Sequence, residues 1–422
     1  MTSKWMAALA SAALMLTACG GGTDKTKAQL RLVNASSGYT TLQLNVDGTL
    51  LQGGVGYGAG AGYSAADPGK AATITQPGSA TALLSFTPAT NKDKYYTLLA
   101  YGGQGALAQL LLDDNQGAPA SDKTLLRVVN AAPDAGSVDI YLTASADLLA
   151  ASVPLQSGAA VGAVGSWLTV NSGTWRLRVT AAGSKSDLRL DLASVTLPGK
   201  QIVTLVLSPG RGGVLVAGLL LNQQGDISRQ DNVQARVRVA AGVAQAGAVS
   251  AAVAGSSVLG STNSPVIGTY SLVTAGTQTP SISVNDKALA AASTTLAPGG
   301  DYTLLVYGTP AAPLARWIED DNRQPSDLSK AQLRLVNGVS GLAVPLALSS
   351  DLVPVASNVA AGTGSAYASL LPSITASLSV TATGLATPIF SATTQTFVAG
   401  ANYTLFVLGD AASAAGALRK DR

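Results

Sequence analysis

The chain repeats itself four times, and that repetition limits the folds open to it more than any other feature. Lys27-Ala-Gln-Leu-Arg-Leu-Val-Asn34 recurs unchanged as Lys330-Ala-Gln-Leu-Arg-Leu-Val-Asn337. Leu125-Leu-Arg-Val-Val-Asn130 is a close variant. Val237-Arg-Val-Ala-Ala241 is a degenerate one, with alanine in the asparagine position. The arginines at 31, 127, 238 and 334 are 96, 111 and 96 residues apart. A second marker comes late in each unit: Tyr96-Thr97-Leu98, Val203-Thr204-Leu205, Tyr302-Thr303-Leu304 and Tyr403-Thr404-Leu405. A third, an aromatic residue after a glycine-rich loop, falls at Tyr63, Trp167, Tyr270 and Tyr367. Three markers in one order predict four tandem domains of about 100 residues, larger than the 20–50 residue units of solenoids.

Within each unit the hydrophobic period is 2. Leu42, Leu44 and Val46 alternate with Gln43, Asn45 and Asp47; Val138, Ile140 and Leu142 alternate around Asp139 and Tyr141; Trp175, Leu177 and Val179 alternate with Arg176 and Arg178. Such alternation marks half-buried antiparallel strands. Turn signals such as Asp47-Gly48, Asp67-Pro68-Gly69 and Pro298-Gly299-Gly300 separate them. The expected class is all-β: four tandem Ig-like antiparallel β-sandwich domains at 28–120, 121–230, 231–329 and 330–422.

Composition narrows the chemistry. Histidine is absent, glutamate occurs once at Glu319, and Cys19 is the single cysteine. That excludes a Ser-His-Asp triad, a Cys-His pair and an imidazole metal site. Charged residues are 12% of the chain, about half the usual share of about 25%. Without Lys4 the count is 25 Lys+Arg against 23 Asp+Glu, in no like-charged block, so nucleic acid is not an expected partner.

The N-terminus carries a different signal. Lys4 precedes an apolar run from Trp5 to Ala18, too short for a bilayer span of about 20 residues. Leu16-Thr17-Ala18-Cys19, followed by Gly20, resembles the lipobox of a bacterial lipoprotein signal peptide. That resemblance implies cleavage after residue 18 and acylation of Cys19. More than one acyl chain is needed for stable anchoring. Gly20, rather than Asp, implies the outer membrane of a Gram-negative cell envelope. Residues 19–27 form a tether that reaches at most about 30 Å at 3.3–3.6 Å per residue.

The repeated unit resembles the bacterial domain-of-unknown-function family numbered 4397. The likeness is carried in unit two by Leu126–Asp134, Val138–Leu142, Gly173-Thr174-Trp175 and Val203-Thr204-Leu205. Unit one carries it at Leu30–Ser36 and Leu42–Gly48, and unit four at its first and last strands; unit three matches least. The resemblance implies an extracytoplasmic, often lipid-anchored Ig-like protein and no assigned activity.

Several residues have two readings. Asn34, Asn130 and Asn337 read as strand-end turn formers, with ligand contact as the alternative. The repeated arginines point outward, to a solvated face or to a neighbouring domain rather than to an anion. Asp113-Asp114-Asn115 and Glu319-Asp320-Asp321-Asn322, each ahead of the next opening strand, read as linker turns. They are also the best candidate Ca²⁺ ligands, since calcium takes six to eight oxygens. Tyr63, Trp167, Tyr270 and Tyr367 read as core or corner packing, with a sugar-stacking face as the alternative. Gly53–Gly62 reads as a flexible inter-strand loop, not a phosphate loop, because no Gly-Lys-Ser/Thr follows. The leading functional expectation is a non-enzymatic, membrane-tethered binding, adhesion or spacer module whose partner is an envelope polysaccharide or a protein. The alternative is a carboxylate-dependent hydrolase of an envelope polysaccharide, with Asp139 and Asp191 as its least implausible acids.

Overall fold

The computed structural model describes residues 24–385 and 387–422. The lipobox residues Leu16, Thr17, Ala18, Cys19 and Gly20 lie outside the described residues. What is described is built almost wholly of β-strands, with two short 3₁₀ turns at Pro133–Ala135 and Leu149–Ala151.

Each repeat folds as two facing sheets, to which unit three adds a two-stranded sheet of Gly276–Gln278 and Thr294–Leu296. In unit one the opening strand Ala28–Asn34 lies in the middle of its sheet. It pairs with Tyr95–Gly103, which pairs in turn with Ala106–Asp113. The other sheet runs Thr49–Gly56, Thr41–Val46, Ala72–Thr75, Leu84–Phe86. Leu30, Leu32, Leu42, Leu44, Ile74 and Leu98 fill the space between, all at most 1% exposed. Each remaining unit has its own core of the same kind. The period-2 reading places these residues correctly: Leu42, Leu44 and Val46 face inward, as do Val138, Ile140, Leu177 and Val179.

One pairing departs from the antiparallel pattern. The opening strand runs parallel to the strand bearing the second marker, in all four units. Arg31 sits beside Thr97, Arg127 beside Thr204, Arg238 beside Thr303 and Arg334 beside Thr404. Two markers some 70 residues apart are thus adjacent rungs of one ladder.

The glycine-rich segment differs from the loop expected of it. Gly53, Gly54 and Gly56 lie in the strand Thr49–Gly56, and Gly60 pairs with Val33 on the opening strand. Glycine relieves the steric cost where the chain turns with φ near +70°, at Gly54 and Gly58. The extra length of unit two forms a strap of residues 144–155. It is tied to the outer sheet where Arg176 donates to the Ser145 carbonyl and Lys185 to the carbonyls of Ala150 and Ser152.

The units are joined in pairs. In the opening strand Ala28–Asn34 every residue is buried, whereas Thr41–Val46 alternates. The second face of the opening strand packs on the matching face of the next unit. Val33, Ala35 and Leu99 of unit one form a core with Val129, Ala131, Val206 and Leu219 of unit two. Ala240, Leu305 and Tyr307 of unit three do the same with Val336, Phe406 and Leu408 of unit four. Small residues follow the marker asparagine, or Ala241 in its place, in each strand: Ala35, Ala131, Gly242 and Gly338. A Cβ on Gly242 would stand 2.8 Å from the Gly338 carbonyl oxygen, so backbones meet across the second interface.

Candidate functional site

The repeated polar markers converge on these two interfaces. Each arginine lies on the outward face of its opening strand, and that face is covered by the neighbouring unit. All four are between 1% and 5% exposed. Each donates its Nε to the threonine on the adjacent rung: Arg31 to Thr97 at 2.7 Å, Arg127 to Thr204 at 2.8 Å, Arg238 to Thr303 and Arg334 to Thr404 at 2.9 Å. Each guanidinium also stacks on its own unit's third-marker aromatic. The distances are 4.6 Å over Tyr63, 4.3 Å over Trp167, 4.6 Å over Tyr270 and 4.8 Å over Tyr367. The aromatics therefore belong neither to the four sandwich cores nor to an open sugar-stacking face. They form half-buried platforms beneath the arginines.

The remaining N–H groups reach across the interface, and here the acidic linkers take their place. Asp114 accepts from Tyr63 Oη at 2.7 Å and from Thr97 on one oxygen, and from Arg127 Nη2 at 3.4 Å on the other. Arg31 instead donates to the carbonyls of Gly225 and Asn222 of unit two at 2.8 and 3.1 Å. In the second pair Asp320 takes the position of Asp114. It accepts from Tyr270 and Thr303 at 2.6 Å each and from Arg334, with Arg238 Nη2 3.6 Å away. Asp421, in the last strand's extension, completes the set by accepting from Arg238 and Thr404. Threonine and aspartate are 17 residues apart in three units: 97 to 114, 303 to 320 and 404 to 421. That spacing was the sequence signal for Asp421, which motif reading passed over. Unit two breaks the spacing: Thr204 pairs with Leu221, and two residues beyond it Gln223 stands where Asp114 stands beyond Leu112, exchanging two hydrogen bonds with the Gln116 backbone.

The electrostatics follow the count of carboxylates. In the first pair burial lowers the Arg127 pKa, with Asp114 only partly opposing it. In the second pair burial also works against charge on Arg238 and Arg334, but Asp320 and the neighbouring groups outweigh it and raise both. Burial likewise works to raise the Asp320 carboxyl. Arg334 and Arg238, with hydrogen bonds from Thr303 and Tyr270, override it and hold the carboxyl below its ordinary value.

This placement bears on the calcium expectation. Asp113 accepts from the backbone N–H of Asn115, a local turn. Asp321 pairs with Arg323, and Glu319 with Arg211. Asn115 donates to the Tyr95 carbonyl, and Asn322 donates to Asp301 and Tyr270. The oxygens of Asp114 and Asp320 already have donors. Among the described residues no three acidic, cysteine or histidine side chains group as a metal would require. Asp114, Glu319, Asp320 and Asp321 act as acceptors for arginine.

The marker asparagines make the turn expected of them and a further tie. Asn34, Asn130 and Asn337 each accept from the backbone N–H two residues on. Their amides donate across the sandwich to Val55, Ala159 and Val359 at 2.9–3.2 Å, fastening one sheet to the other. Of the two acids weighed for hydrolysis, Asp139 accepts from the N–H groups of Gly158 and Gly183. Asp191 is held at two points by Arg176.

The family model "Domain of unknown function (DUF4397)" matches residues 28–141 and 235–344, more than half of the chain. The chain belongs to this family. Each DUF4397 match contains all or nearly all of one unit, its acidic linker and the opening strand of the next unit. Unit three, the weakest by motif, lies inside a matched span. No curated protein sequence matches the chain. Among solved structures it is similar to a "putative cell adhesion protein" from Bacteroides uniformis, at 10% identity, over 48% of this chain and 99% of that one, with a TM-score of 0.21. It is also similar to the TIE protein of Bacillus anthracis, at 9% identity, over 87% of this chain and 66% of that one, with a TM-score of 0.15. Neither likeness carries an argument about this chain at those scores.

Proposed function

We propose that the protein is a non-enzymatic module of the cell envelope, lipid-anchored through Cys19. In this reading its four β-sandwich units are fused into a stiff body that holds a binding surface near the membrane. The observation that carries the reading is the use of the repeated polar residues. Arginine, threonine, aromatic and aspartate markers are consumed in locking units together, and both candidate hydrolytic aspartates are saturated by structural donors. Distance from the membrane comes from the units, because the tether is about nine residues.

The anchor is tested by fractionating cells that express Cys19→Ala. Loss of membrane association, with either release of soluble protein or retention of the precursor, is the expected result. Normal processing and membrane retention would end the anchor reading. Protease shaving of intact cells then distinguishes a surface-facing from a periplasmic body.

A further inference from the structure

The two pairs of units meet along a cleft of about 680 Å³, to which units one, two and three all contribute. Its walls hold three arginines, and each has an acidic partner. Arg211 of unit two reaches Glu319 of unit three at 2.5 Å, Arg229 reaches Asp231 at 2.6 Å, and Arg323 reaches Asp321 at 2.7 Å. Tyr57 of unit one lies beneath Arg229, 5.0 Å from its guanidinium carbon, and its hydroxyl donates to the Pro209 carbonyl. The floor is bare backbone. Gly212 donates to the Gly299 carbonyl at 2.8 Å, and a Cβ on Gly210 would stand 3.2 Å from the Gly299 Cα. Arg229 fits only because residue 58 is glycine: a Cβ there would be 1.8 Å from its Nη1.

The geometry points to a binding site for an uncharged glycan in this cleft. Its size falls within the roughly 300–1,000 Å³ of small-ligand sites, which favour the junctions between domains. The three ion pairs cancel one another's charge, so an anion finds every guanidinium already neutralised, and a polyanion lacks the net positive surface it needs. Each pair still offers donors and acceptors side by side. Arg229 donates only its Nε to Asp231 among the described contacts, and Arg211 leaves Nη1 unused. Sugar hydroxyls both donate and accept, so paired planar groups can satisfy them in twos. Pro298 and Tyr57 add apolar surface between the ion pairs, which the C–H faces of a sugar ring can cover while its hydroxyls meet the charged groups.

This inference rests on the binding-module reading, and one experiment separates the two. The full chain, in a detergent without a sugar headgroup, is titrated by calorimetry with cellotriose, chitotriose, maltotriose and the acidic trimer of galacturonate. One or more of the uncharged trimers is expected to bind and the acidic one not. Arg211→Gln and Asp231→Asn are each expected to weaken that binding at least tenfold with an unchanged melting temperature. Glu319→Gln, also at a half-exposed position, serves as the second variant if one of these melts early. Failure of every uncharged trimer to bind, preference for the acidic trimer, or wild-type affinity in the variants overturns the site and leaves the module reading standing. Cleavage of a bound trimer overturns the module reading instead.

Discussion

Replacing Asp320 by asparagine isolates what the second arginine clasp contributes. The change keeps the shape of the side chain and removes one charge. Asp320 is fully buried, touches Arg334, and lies 3.6 Å from Arg238. At an effective dielectric of about 20, two unit charges at that separation interact by about 4–5 kcal/mol. Arg238 keeps Asp421, which recovers part of this. Arg334 retains Thr404 and the Glu319 carbonyl but no carboxylate within ion-pair distance, while the new amide points a donor at it or at the Tyr270 and Thr303 hydroxyls. Breaking a buried pair by removing one partner costs about 3–5 kcal/mol. For a pair of units near 200 residues that is roughly 6–20 °C in melting temperature, at 2–4 °C per kcal/mol. The assay is urea unfolding followed by tryptophan fluorescence. Trp317, packed edge-on against Tyr302, reports unit three. The single variants Asp320→Asn and Arg334→Met and their double close a thermodynamic cycle, which should show a coupling of at least about 1 kcal/mol for residues in direct contact. A loss below about 1 kcal/mol for Asp320→Asn, or additive effects in the cycle, would refute the reasoning that these interfaces hold through buried charge.

Acid should weaken the same interface. The Asp320 carboxyl is held below its ordinary value of 3.8, so its contribution is present above that pH and is lost as pH falls through the lower folded value; melting scans from pH 6 to pH 2 should show it. Gly242→Ala forces a methyl group to within 2.8 Å of the Gly338 carbonyl oxygen and should cost about 1–3 kcal/mol in unfolding free energy, with little effect on the first pair of units. Asn337→Ala leaves the Val359 carbonyl and the Val339 N–H without their partner and should cost about 1–3 kcal/mol by urea titration. Chelation with EDTA should leave the melting temperature unchanged, because the acidic linkers are engaged by arginine; a shift would return them to the metal reading.

The sandwich interiors were legible because period 2 in Leu42-Gln-Leu-Asn-Val46 describes a strand with one face in a core and one in solvent. The opening strand defeated that logic. Both of its faces are buried, so period 2 left the outward-pointing Arg31 between a solvated face and a neighbouring domain, and its face belongs to the second, inter-unit core. Nothing local in Tyr96-Thr97-Leu98 says that it will lie parallel to Ala28–Asn34, since that pairing depends on 60 residues of intervening sheet. In the sequence the aromatics read as core or corner packing, with a sugar-stacking face as the alternative, since each is only a ring after a glycine-rich loop. What identifies them is the cation above each ring, and that requires the three-dimensional ladder. The spacing of arginine, aromatic and threonine in four units, and of aspartate in three, did contain the clasp, and its last member, Asp421, escaped notice.

Placing the first strand of a unit at the centre of its sheet has a consequence in time. Ala28–Asn34 is the first strand of its unit to emerge in a growing chain, yet its principal neighbour, Tyr95–Gly103, begins more than 60 residues later. Until then the strand can gain only short edge pairings, while the closure entropy of the long loop stands against it. Each unit therefore forms late and all at once, and its partner unit later still. A chain laid out in this way stays open for as long as a unit is incomplete.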